Sequence, residues 1–128
     1  MGRVGYGVMY WVPVVLCGLA VSTTATADNN SVTYEVVSSA VAAANIEYVG
    51  VNGRVAVQNV TLPWRMDVAV DAVHGAPPNG SQVRADWRRS AGPAKWVTVR
   101  ISHLGKVICQ NTLDVGNAAC YGNTPRIT

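Results

Sequence analysis

The sequence predicts an all-β fold, a small Ig-like antiparallel β-sandwich of about seven strands, and three observations carry that expectation. Apolar and polar residues alternate at period two over most of the chain from Val32 onward, as strands with one buried face do. Turn residues interrupt the alternation often enough that each strand is short, the spacing of a sandwich. Valine is abundant, in keeping with strand preference.

The elements follow in order. Residues 1–27 carry one basic residue, Arg3, then an uncharged run from Val4 to Val21, then small polar residues ending in Ala25-Thr26-Ala27. That is the layout of a secretory signal. The run of 18 residues is also long enough at its limit to cross a bilayer as a helix. A cleaved signal and an uncleaved hydrophobic export or anchor helix are both open, and Pro13 does not separate them. Cys17 follows Val14-Val15-Leu16, where lipid-attachment sites resemble one another in a small residue, so lipidation is not the expectation. Residues 28–128 are then one extracytoplasmic domain, begun by a polar stretch from Asp28 to Ser31.

Val32, Tyr34 and Val36 mark a first strand, and Ile46 and Tyr48 a second. Asn52-Gly53 supplies a dipeptide favoured in two-residue hairpin turns. Val55 and Val57 begin the return strand, which Leu62-Pro63 interrupts because proline cannot donate to a ladder. Trp64, Met66, Val68 and Val70 share the next apolar face, with Trp64 assigned to the core. His74 to Gly80 is a loop. Val83, Ala85 and Trp87 precede a Gly-Pro turn at Ser90 to Ala94, and Val97, Val99 and Ile101 follow it. His103-Leu104-Gly105 is a turn, and Lys106 to Gln110 is the last hairpin arm. Val37 to Ala44, rich in alanine and serine, is the one place where a helical turn fits.

Ten basic residues face seven acidic ones, and Arg3 belongs to the export segment. This excess is too small to imply nucleic acid. Cys109 and Cys120 are an even pair in an exported domain, where a disulfide is the default. A metal site would need more ligands near them, and His74 and His103 stand apart in sequence. No metal or cofactor is expected.

Tyr34-Glu35-Val36, Leu62-Pro63-Trp64, and the hairpin from Arg100-Ile101 to Gly105-Lys106-Val107 come in an order that resembles the mycobacterial MmpS family. Its members are small membrane-anchored accessory proteins of the MmpL transporters. The resemblance covers about residues 32–121. In the family pattern a cysteine sits just before the Arg-Ile pair, where this chain has Val99, so the chain is similar to the family as a divergent member. The resemblance implies an extracytoplasmic sandwich, in the cell envelope or secreted after cleavage near Ala27, that assists an RND-type MmpL transporter in exporting lipids or siderophores, without catalysis.

The residues themselves offer little enzyme chemistry. A hydrolytic site needs a nucleophile, a base and an orienting group in one place, whereas His74 and His103 lie in a loop and a turn. Ser81, after Asn79-Gly80, is no nucleophile elbow. Asn29, Asn59 and Asn79 head glycosylation sequons, which matter only in a host that uses them. A simple hairpin around Ser90 to Ala94 would set Arg88 opposite Trp96 and Arg84 opposite Arg100 on the outward face. Opposed arginines repel, and arginine on tryptophan is a cation-π pair. Arg84, Arg88, Trp96 and Arg100 are therefore the candidate binding residues, for an anionic or apolar envelope ligand or an acidic transporter loop. A solvated strand face screened by Asp86, or a register shifted by a bulge, is the alternative.

Overall fold

The computed structural model describes residues 30–128, so the predicted export or anchor segment, residues 1–27, lies outside the described residues. The described chain forms β1 (Ser31–Val37), β2 (Ala43–Gly50), β3 (Gly53–Thr61), β4 (Trp64–Ala69), β5 (Gln82–Asp86), β6 (Val97–His103), β7 (Lys106–Leu113), β8 (Asn117–Tyr121) and β9 (Arg126–Ile127). They pair as two sheets, ordered β4-β1-β6-β7-β9 and β3-β2-β5-β8. Every strand pairing is antiparallel except β7 with β9. Among the described residues no helix is long and apolar enough to cross a membrane.

Period two works here because residues directly opposite in neighbouring strands share a face. In the first sheet one inward row runs Met66, Tyr34, Ile101, Cys109. In the second a matching row runs Val55, Tyr48, Val83, Cys120. The rows meet across the core. The Tyr34 and Tyr48 ring centroids are 5.6 Å apart, and Cys109 is bonded to Cys120 with Cα atoms 5.8 Å apart. The disulfide thus joins β7 of one sheet to β8 of the other, and closing that loop stabilises the fold by roughly 3 kcal/mol on a chain-entropy estimate.

The structure has more strands than the sequence suggested, because β7 continues past Gln110 to Leu113 and Cys120 lies in a further strand, β8, with the short β9 beyond it. The β2–β3 hairpin pairs Gly50 with Gly53, so Val51 and Asn52 are its loop residues. Gly53, at φ 102°, opens the return strand instead of completing the turn. The β6–β7 hairpin pairs His103 with Lys106. Leu104 (φ 50°) and Gly105 (φ 78°) both lie in the left-handed region, as a type I′ turn requires. No helical turn forms between Val37 and Ala44. Ser38 Oγ instead accepts from the Ala40 and Val41 amides at 3.0 and 2.9 Å and donates to Trp96 O at 2.7 Å, satisfying by side chain what a helix would satisfy by backbone.

The main correction concerns β5 and β6, which belong to different sheets and make no hairpin. Trp87 is the cause. Its amide donates to Gly116 O at 2.7 Å, its indole Nε1 donates to Lys95 O at 3.1 Å, and it is buried at the end of the core. The chain turns around this side chain through a 3-10 turn at Arg88–Ser90 and crosses to the other layer.

The strand directions give the domain two ends. At one end lie Ser31, the β2–β3 tip, the β6–β7 tip and the loop 70–81, since Ser31 pairs with Ala69 and Gln82 with Tyr121. This is where residues 1–29 connect. At the far end lie the 38–42 turn, Leu62-Pro63, the 87–96 crossover and the β7–β8 turn. The loop 70–81 is held by Ser81 Oγ, buried and donating to Val73 O at 2.6 Å, and a side chain at Gly122 would collide with that same carbonyl and hydroxyl.

Candidate functional site

Strands β3 and β4 are the edges of the two sheets on the side away from the disulfide, and the two-residue turn Leu62-Pro63 joins them at the far end. Each inward row loses its cover as it approaches them. Cys109, Ile101 and Tyr34 are 2%, 0% and 0% exposed, but Met66 is 39%; Cys120, Val83 and Tyr48 are 1%, 0% and 9%, but Val55 is 37%. Val57, inward-facing opposite buried Ile46, is likewise partly open. The sandwich is therefore stapled at one edge and parted at the other. The parted edge is an apolar slot of about 320 Å³, with Tyr48 and Gly50 in its floor, Val51 and Val55 on one wall, and Met66 and Val68 on the other.

Beside the slot three aromatic rings bridge the two sheets. Trp64 packs on Tyr48 with ring centroids 5.6 Å apart, and Tyr48 on Tyr34 at the same spacing, tilted contacts that suit aromatic quadrupoles. Tyr34 anchors the trio, donating its hydroxyl to Val49 O at 2.7 Å and accepting from the Gln82 amide at 3.1 Å. Burial pushes its phenol up to about 12, so it holds its proton across the ordinary pH range. Trp64, expected in the core, packs against it while remaining partly exposed.

The four residues singled out from sequence do not share a face. Arg84 lies on the second sheet opposite Glu47 and Ala119. Arg100 lies on the first, where its Nη1 is 3.0 Å from Glu35 Oε1 and its Nε donates to Gln110 Oε1 at 2.8 Å. Glu35 also meets Arg65 at 3.6 Å. The expected opposition of Arg84 and Arg100 is absent because the two strands are in different layers. Arg88 does not meet Trp96 either: its Nε donates to both Asp86 oxygens at 3.1 Å, and the guanidinium holds the Asp86 carboxyl below the usual carboxylate range. Trp96 stands at the far end, 51% exposed.

Arg88 does border a second concavity. This far-end cavity, about 490 Å³, is polar, with Asn45, Gln58, Asn59, Asp86, Arg88 and Arg89 among its lining residues. It exists because β2 and β3 slip register between Ala44 and Ile46. Asn59, at φ 54°, bends there, and its amide donates to Asn45 Oδ1 at 2.8 Å.

His74 and His103, separate in sequence, come together at the end where residues 1–29 join. Their rings are edge to face with centroids 6.0 Å apart. Each Nδ1 contacts a backbone carbonyl, Gly122 O at 3.0 Å and Ser31 O at 2.9 Å. Among the described residues neither histidine pairs with an acid, and no group of three or more His, Cys, Asp or Glu converges as a metal site.

The slot escaped the sequence reading for a definite reason. Val55, Val57 and Met66 have the same inward parity as the core residues, and alternation does not distinguish a middle strand from an edge. Leu62-Pro63 interrupts the alternation there, but a two-residue break suits a hairpin within one sheet as well as a step from one sheet to the other, so it did not reveal the edge.

Fold and slot together define a disulfide-tied β-sandwich with an apolar lateral opening. A family model described as Mycobacterium membrane protein matches residues 10–79, more than half of the chain. The protein belongs to this family, the MmpS family. No curated protein matches the chain. The matched residues take in most of the uncharged N-terminal run and all of β1 to β4, and so both walls of the slot.

Proposed function

We propose that the protein is a non-catalytic accessory subunit, held at the outer face of the membrane by its N-terminal run, that works with an RND-type MmpL transporter in exporting lipids or siderophores. The observation that carries this reading is the span of the family match, which joins the apolar run to β1–β4 in one unit. The run tethers one end of the domain, and the far end then projects away from the bilayer by the length of its strands. With strands of seven to nine residues that is roughly 25 Å. Trp96 and Arg88 at the far end are the contacts we assign to the transporter's extracytoplasmic part. Trp96 offers an exposed aromatic surface of the kind that anchors interfaces. Arg84 is left as an exposed strand position, and Arg100 is half-buried and already paired with Glu35.

The test is affinity capture of the tagged full-length chain from solubilised mycobacterial membranes, with mass spectrometry of what accompanies it. An RND-type transporter that co-purifies, and is lost with Trp96→Ala at unchanged thermal midpoint, is the expected outcome. The second reading, a freely secreted sandwich with no transporter partner, is favoured by Ala25-Thr26-Ala27. A culture-filtrate protein whose intact mass begins at Asp28, with no transporter captured, would replace the first reading by it.

A further inference from the structure

We propose that the slot between β3 and β4 takes up a single alkyl chain of a membrane lipid, entering from the end of the domain where residues 1–29 connect. This deepens the reading above and rests on the part of it that keeps the N-terminal run in the membrane.

Three observations converge on an alkyl chain. The walls come from two sheets and present aliphatic and thioether side chains toward each other, Val51 and Val55 against Met66 and Val68. Asn52 and Asp67 are the polar residues of the lining; Asp67 already accepts from Thr33 Oγ1 at 2.6 Å. A slender apolar occupant therefore finds dispersion contacts on both sides, as a chain of methylenes requires. The second is the floor: Gly50 carries no side chain, which lets Val68 Cγ1 pack close over the backbone of β2, and a Cβ there would stand only 3.2 Å from it, so a larger residue would displace that wall.

The third observation is position. Toward the far end the slot stops at Tyr48 and Met66, beyond which Trp64 packs on Tyr48 with ring centroids 5.6 Å apart. Its other end lies between the Val51–Gly53 tip and Ala69, and Ala69 pairs with Ser31. Eight residues separate Val21, the end of the uncharged run, from Asn30. Fully extended they reach at most roughly 26–29 Å, and the slot's mouth lies at the same end of the domain as this connection. Val51, 50% exposed, stands at that mouth. An extended peptide added to β3 is the other occupant such an edge admits, but it would be recognised by the backbone of β3 and has no need of apolar walls on both sheets.

The experiment uses the full-length chain in lipid nanodiscs doped with a phosphatidylcholine whose acyl chain ends in a photoactivated diazirine, with the labelled peptides mapped by mass spectrometry. Labelling is expected at Val51, Val55 and Met66 as well as within residues 1–29. The V55E/M66E variant places charge in the slot and is expected to lower labelling there by at least about tenfold, since an unpaired charge against hydrocarbon is costly, while labelling of residues 1–29 persists. Should that variant fail to fold, V55N/M66Q serves, with the same loss expected. Labelling confined to residues 1–29 in the wild-type chain, or slot labelling indifferent to the substitutions, overturns the proposal. Transporter capture is scored separately. A slot left unlabelled in a chain that still captures its transporter removes the alkyl-chain site alone. A labelled slot in a membrane-held chain that captures none removes the transporter role and leaves the site.

Discussion

Tyr34 gathers several functions of the fold in one side chain. It is fully buried, its ring supports Tyr48 and through it Trp64, and its hydroxyl joins Val49 O to the Gln82 amide, bonding β1 of one sheet to β2 and β5 of the other. Removing the hydroxyl leaves that donor and acceptor buried and unpaired, so Tyr34→Phe is expected to lose about 1–3 kcal/mol in urea unfolding. The pH dependence follows from the same burial. The phenol is raised from 10.0 to about 12 in the fold, so its contribution is fully present below pH 10 and is lost as pH rises through 12, because the unfolded chain releases the proton first. Alkaline titration of stability is expected to show that fall in the wild type and a smaller one in Tyr34→Phe; equal slopes would contradict the assignment. The inward parity of Tyr34 was legible in the sequence. Its two hydrogen bonds were not, because Val49 and Gln82 are brought to it only by the facing sheet.

At the scale of elements, strands within a sheet were easier to read than the connections between sheets. The β6–β7 hairpin was recognisable from Leu104-Gly105 between apolar alternations, and β1, β2 and β4 from theirs. The β5–β6 connection was not, because a Gly-Pro turn between two alternating runs suits a hairpin and a crossover equally well. What decides between them is Trp87, whose indole needs both burial and an acceptor, met by Lys95 O. That choice also determined the fate of the predicted binding face, since Arg84 and Arg100 can oppose each other only within one sheet. The disulfide is the element that holds the crossover's product together. With both cysteines replaced by serine, the closed edge is expected to lose roughly 3 kcal/mol, read as a lower urea midpoint. A midpoint equal to the wild type's would show that β7 and β8 need no staple.

For the whole molecule, the arrangement is a sandwich fastened along one edge by Cys109–Cys120 and parted along the other between β3 and β4, with one end joined to an apolar N-terminal run. Membership of a membrane-protein family and the position of the slot's mouth both follow from residues that lie in the first two thirds of the chain. The central claim is that this second edge is open. Met66 tests it most directly, being the sole methionine of the described residues. Methionine oxidation follows exposure. In the folded, disulfide-intact full-length chain treated with dilute hydrogen peroxide, Met66 is expected to form sulfoxide within roughly tenfold of its rate in the unfolded chain, as read by peptide mass spectrometry. Protection of Met66 until the protein unfolds would mean that the two edges meet, and that the slot does not exist.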